Sequence, residues 1–164
     1  SMVFFRRVFD EVARDFDDIA ARHAYVDAAS LHLVQRPEIF DVIVTENMFG
    51  DILSDLAAGL IGGMGMAPAA DLGDELAVFQ PAHGSAPDIA GKGIANPIAA
   101  ILSAALMLEW IGREETSQAA GLIQHAVETV LADPSNRTPD LNGKLTTAGM
   151  GDLVVQALQT GSRE

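Results

Sequence analysis

Asn47-Met48-Phe49-Gly50-Asp51-Ile52-Leu53-Ser54-Asp55 is the stretch whose reading decides the fold of this chain. It follows a short apolar run, Val42-Ile43-Val44, which reads as a buried strand closing at Thr45 and Glu46. It then opens a helix that continues through Leu56, Ala57, Ala58 and Leu60. Asp51 and Asp55 are spaced so that, on a helix, both carboxylates share one face, one turn above the other. Like charges so placed repel unless a cation lies between them, and their oxygens suit a hard divalent ion such as magnesium or manganese. A solvated acidic helix face explains the same spacing.

Toward the N-terminus, Phe5, Val8, Phe9, Val12, Phe16 and Ile19 recur at helical spacing and predict an amphipathic helix over 5–22. Ala24-Tyr25-Val26 reads as a short strand with Asp27 at its end. A helix is expected over 28–36, stopped by Pro37, and a second strand over 41–44. Strand, helix, strand, helix in this order predicts an α/β layered fold with a mostly parallel sheet.

Toward the C-terminus, Gly62-Gly63-Met64-Gly65 breaks the helix and marks a domain crossing, which divides the chain into 1–62 and 63–164. Ala77-Val78-Phe79 reads as a strand that runs into a long loop. Asn96-Pro97 signals a helix start, with Asn as cap and Pro at the first helical position. The helix over 97–111 is apolar nearly all round, so it is expected to be central and buried, with Gly112 as its stop. A helix over 114–132 carries Leu122, Ile123, Ala126, Val127 and Val130 on one face and ends at Asp133-Pro134. A turn-rich connection over 139–144 leads to a last helix over 147–158.

Bulk properties exclude several classes. The 164 residues are 49% hydrophobic and 20% charged, which fits a packed core and not a disordered chain. A formal net charge of -13 leaves no basic patch for nucleic acid. There is no cysteine, hence no disulfide framework and no thiolate metal site, and a cytoplasmic location is expected. The most apolar segment, 98–108, is far shorter than the ~20 residues of a membrane-spanning helix. Arg6 and Arg7 follow the first apolar residues instead of preceding them, unlike a signal peptide.

The loop itself is His83-Gly84-Ser85-Ala86-Pro87-Asp88-Ile89-Ala90-Gly91-Lys92-Gly93-Ile94-Ala95-Asn96-Pro97. Its glycines let the backbone approach a ligand, and exposed N–H groups bind anions. No G-x-G-x-x-G follows a strand, so this is not a Rossmann fingerprint. An Ω-loop packed on itself and a ligand loop account for these residues equally well. His23, His32 and His125 are scattered without metal-ligand spacing.

Taken together, the stretches 47–55 and 83–97 resemble the isopropylmalate and isocitrate dehydrogenase family, the metal-dependent β-decarboxylating dehydrogenases of 2-hydroxy acids. Their wording is most similar to 3-isopropylmalate dehydrogenase and its tartrate or D-malate relatives. The resemblance covers most of the chain and implies the C-terminal half of an isopropylmalate dehydrogenase-like fold. In that family, Asp51 and Asp55 correspond to metal-ligand aspartates of one subunit, and Asp27 to the ligand given to the other subunit's site. His83, Gly84, Ser85, Ala86, Pro87, Asp88, Ile89 and Asn96 correspond to the dinucleotide site, with His83 and Asn96 near the adenine and Asp88 near its ribose. The implied cofactors are NAD and Mg2+ or Mn2+. Residues 1–62 correspond to part of the substrate, metal and dimerisation domain, and 63–164 to part of the dinucleotide-binding domain. The helices over 28–36 and 50–61 correspond to the intersubunit bundle of a homodimer.

The implied reaction oxidises a small 2-hydroxy acid by hydride transfer to NAD and then releases carbon dioxide. Gln80 departs from the pattern, since most relatives carry a glutamate there, close to the nicotinamide end. The family's catalytic lysine and tyrosine, and the arginines that hold the substrate carboxylates, fall before residue 1. Lys92 and Lys144 match neither catalytic position. The resemblance therefore implies no catalytic acid–base residue in this stretch and an inactive chain on its own. A non-catalytic dimerising or regulatory subunit is the alternative expectation.

Overall fold

The computed structural model describes residues 2–161. Within it, the chain divides between Val44 and Thr45 into two compact units.

The first unit holds two helices. Helix α1 spans Met2–Ala13 and buries no residue. It stops nine residues short of the expected end, and i→i−3 bonds such as Asp15 N–H to the Val12 carbonyl turn the chain instead. Asp15, Asp17 and Asp18 explain the stop: aspartate is a weak helix former, and acid at a helix C-terminus opposes the backbone dipole. His23 then returns to α1, with its Nε2 2.7 Å from Asp10 Oδ1 and its ring edge-on to Phe9. Helix α2 spans Val26–Gln35 and buries Ala29 and Leu33.

The expected strands over 24–26 and 41–44 do not form. Val26 is already helical, and the Ala29 N–H donates to the Tyr25 carbonyl. A strand exists only through the partner it hydrogen-bonds, and among the described residues these runs have none.

The second unit opens with α3, Asn47–Leu60. Glu46 does not end a strand. It caps the helix, its carboxylate accepting the backbone N–H groups of Met48 and Phe49 at 3.0 and 2.8 Å. After the glycines comes a hairpin of β1, Pro68–Leu72, and β2, Ala77–Pro81, paired antiparallel with Ala70 opposite Phe79. This pair is the sheet among the described residues, so the parallel pairing expected from the order of elements is not realised within them. Pro68 faces Pro81 at the open end of the ladder, where their missing N–H groups disturb it least.

Helix α4, Ile98–Ile111, packs against the hairpin on one side and against α5, Glu114–Ala132, on the other. It lies between them as its apolar composition predicts, but it is not buried all round: Met107, Trp110 and Ile111 toward its C-terminus are exposed. Ile98 and Ala99 are fully buried at its start, and Gly112 closes it in the left-handed conformation at φ 71°. Helix α6, Thr147–Gly161, packs on α5 and completes a core of Ile98, Ala126, Val127, Val130, Met150 and Val154.

Candidate functional site

On α3 the two aspartates stand as their spacing requires, both exposed. Asn47 Nδ2 donates to Asp51 Oδ2 at 3.2 Å, and among the described residues no basic side chain pairs with Asp51 or Asp55. Two unneutralised carboxylates one helical turn apart are a donor set that fits a hard divalent cation. Asp27 lies exposed in the first turn of α2, in the other unit, and its Oδ1 accepts the Ala28 N–H at 2.8 Å. Among the described residues no three His, Asp or Glu side chains gather into a metal cluster.

The loop leaves β2 and returns at α4. Residues 83–92 bond mainly among themselves: a nitrogen of His83 lies 2.9 Å from the Gly84 carbonyl, and Pro87–Ile89 makes one 3-10 turn. Ala86 is held left-handed at φ 43° immediately before Pro87, a conformation that disfavours any residue with a Cβ. Gly84, Ser85, Ala86, Pro87 and Asp88 are all exposed, and Ile89 is half-buried. Asp88 sits in the 3-10 turn without capping it, and among the described residues its carboxylate has no hydrogen-bond partner.

The far end of the loop is fastened differently. Thr147, the first residue of α6, donates its N–H to the Gly93 carbonyl at 2.8 Å and its hydroxyl to the Ala95 carbonyl at 2.6 Å. Asn96 is 7% exposed. Its Oδ1 accepts the Ile98 N–H at 3.0 Å, as a cap should, and its Nδ2 donates to Asp140 Oδ2 at 3.0 Å. Asp140 Oδ1 also accepts a hydrogen bond from the hydroxyl of Thr138, a fully buried residue. Asp140, Thr138 and Thr147 are the members of this end that reading the sequence missed. Thr138 and Asp140 within the turn-rich connection were the available signal, since Thr and Asp side chains make local hydrogen bonds in turns.

The family model for isocitrate/isopropylmalate dehydrogenase matches residues 1–154. The chain belongs to the isocitrate/isopropylmalate dehydrogenase family. It is 57% identical over 150 residues to an isocitrate/homoisocitrate dehydrogenase of Thermus thermophilus, covering 92% of this chain and 44% of that protein. It is 51% identical over 155 residues to a 3-isopropylmalate/3-methylmalate dehydrogenase of Methanocaldococcus jannaschii, covering 94% and 45%. A crystal structure of isocitrate dehydrogenase from Methylococcus capsulatus superposes with a TM-score of 0.84 at 47% identity, covering 94% of this chain and 45% of that one.

The family is one of oxidoreductases, and the fold class is that of an isopropylmalate dehydrogenase-like α/β protein. The chain spans somewhat less than half the length of the curated relatives it matches. No described helix is long and apolar enough to cross a membrane.

Proposed function

We propose that this chain is the C-terminal part of a β-decarboxylating dehydrogenase that oxidises a small 2-hydroxy acid with NAD and a divalent cation, Mg2+ or Mn2+. The observation that carries the reading is the pair of exposed, unneutralised aspartates on α3 in a member of this family. Asp51 and Asp55 are to hold the cation, with Asp27 contributed by a second copy of the chain. When bound there, the cation supplies Lewis-acid stabilisation of charge that develops on the substrate.

The loop residues His83 to Ile89, together with Asn96, are to receive the dinucleotide. Exposed glycine backbone suits its phosphates. Asp88 is to accept hydrogen bonds from the adenosine ribose hydroxyls, and its lack of an internal partner supports that role. A homodimer is supported by apolar side chains left exposed on the helices concerned: Leu31 and Val34 on α2, Met48 and Ile52 on α3. The substrate class follows the relatives' names, isocitrate, homoisocitrate and 3-isopropylmalate.

Two measurements test this. Mn2+ titration followed by electron paramagnetic resonance is expected to show a site that Asp51→Asn weakens by at least tenfold, since it removes one carboxylate charge from the ligand set. Equal binding by Asp51→Asn sinks the metal assignment. Steady-state assays with the three acids and NAD are expected to show no turnover by the 164-residue chain and turnover once it is joined to the remaining part of a family member. Turnover by the chain alone refutes the placement of the acid–base groups outside it.

A further inference from the structure

We infer that Asp140 is a positioning residue for the nucleotide loop, acting through Asn96 and not by touching the nucleotide. This rests on the nucleotide reading above. The argument begins with the buried amide of Asn96. Its Oδ1 faces the Ile98 N–H, a donor, so the opposite end must be the NH2 group. That NH2 needs an acceptor, and Asp140 Oδ2 supplies it at 3.0 Å. Thr138 fixes the other carboxylate oxygen from within the core. A continuous line of hydrogen bonds therefore runs from a buried hydroxyl, through a carboxylate and an amide, to the first turn of α4.

Gly65 backs directly on this line. A Cβ at position 65 would stand 2.8 Å from both Asn96 Cβ and Asp140 Oδ2, closer than side-chain carbons approach either atom. Only glycine lets the two side chains meet at this spot. Met66 Sδ, 3.4 Å from Asn96 Nδ2, fills the remaining direction of the amide. Three of the four hydrogen-bonding directions of the Asn96 side chain are thus taken, which leaves one lone pair of Oδ1.

Its effect on the loop is one of direction. Residues 93–97 are fixed by Asn96 and by the two bonds to Thr147, whereas residues 83–92 are held mainly by bonds among themselves. The line through Asp140 therefore sets where the segment leaves α4, and with it where the nucleotide-facing residues stand.

Chemistry supplies a discriminating pair of variants. Asp140→Asn keeps an oxygen toward Asn96 and turns its NH2 to Thr138, whose hydroxyl accepts as readily as it donates. Asp140→Ala leaves the Asn96 NH2 buried without an acceptor. Gly65→Ala parts the pair sterically and removes no polar group.

The test combines calorimetric titration of NAD with hydrogen exchange at the Ile98 amide, on the whole chain and these three variants. Asp140→Ala and Gly65→Ala are expected to weaken NAD about tenfold and to speed exchange at Ile98, while Asp140→Asn matches the unmutated chain in both. Equal loss of NAD affinity in Asp140→Asn and Asp140→Ala with Ile98 exchange unchanged overturns the inference, because the carboxylate then meets the nucleotide itself. Full NAD affinity in Asp140→Ala overturns it as well. If the unmutated chain takes up no NAD, the nucleotide reading falls and the positioning role falls with it.

Discussion

Gly143→Ala is expected to destabilise the chain by about 3–5 kcal/mol. A Cβ at position 143 would lie 1.8 Å from the Arg137 carbonyl oxygen and 2.2 Å from its carbon, both backbone atoms that no rotamer change moves away. The turn has to open by more than an ångström. Two hydrogen bonds close that turn: Gly143 N–H to the Thr138 carbonyl and Leu145 N–H to the Arg137 carbonyl, each 2.9 Å. Losing them costs about 1 kcal/mol each, and forcing a methyl into packed backbone costs about 1–3 kcal/mol more. For a chain of this size that lowers the melting temperature by about 6–20 °C, read by circular dichroism during heating. Gly151→Ala is the control, because nothing lies within 4 Å of a Cβ there and the residue is inside α6. That control is expected to stabilise by about 0.5–1 kcal/mol through helix propensity. If Gly143→Ala melts within about 2 °C of the unmutated chain, the close-approach reasoning is wrong.

Three further outcomes are expected. In the protein joined to the rest of a family member, NAD is expected to be preferred over NADP, because Asp88 repels a 2′-phosphate; Asp88→Lys should reverse the ratio of kcat/KM, and equal use of NADP by the unmutated protein removes Asp88 from the ribose site. Ala86→Gly relieves a left-handed alanine and is expected to raise stability by about 1 kcal/mol, so an unchanged denaturation midpoint counts against strain at that residue. The Asp133 carboxyl is held below the usual carboxylate range by hydrogen bonds from the Ser135 backbone N–H and then from its hydroxyl. A depressed folded pKa contributes stability that is present above the unfolded value and is lost as pH falls through the folded one. Ser135→Ala should move that titration upward in a carbon-detected NMR experiment, and a static midpoint would show the hydroxyl to be irrelevant.

Helices α4 and α5 were legible because each carries its own punctuation. Asn96 takes the Ile98 N–H at the start of α4, Gly112 ends that helix, and Asp133-Pro134 follows α5. Strands carry no such local signature. Residues 24–26 and 41–44 have strand-like composition but no partner among the described residues, while Pro68–Leu72 lacks β-branched residues and forms a strand because β2 lies beside it. Asp51, Asp55 and the loop were legible from spacing and motif. The support of the loop was not, because Asp140 is 44 residues from Asn96 and Thr147 is 52 from Ala95, and single-chain periodicity holds no information at that range.

That separation has a consequence for biosynthesis. A ribosome finishes residues 83–97 well before it makes Thr138, Asp140 and Thr147. Until those emerge, the Gly93 and Ala95 carbonyls lack Thr147 and the Asn96 NH2 group lacks its carboxylate acceptor. Order in this segment is therefore acquired late, when the last helix docks, and a nascent chain released before Thr147 carries every residue of the loop without its shape.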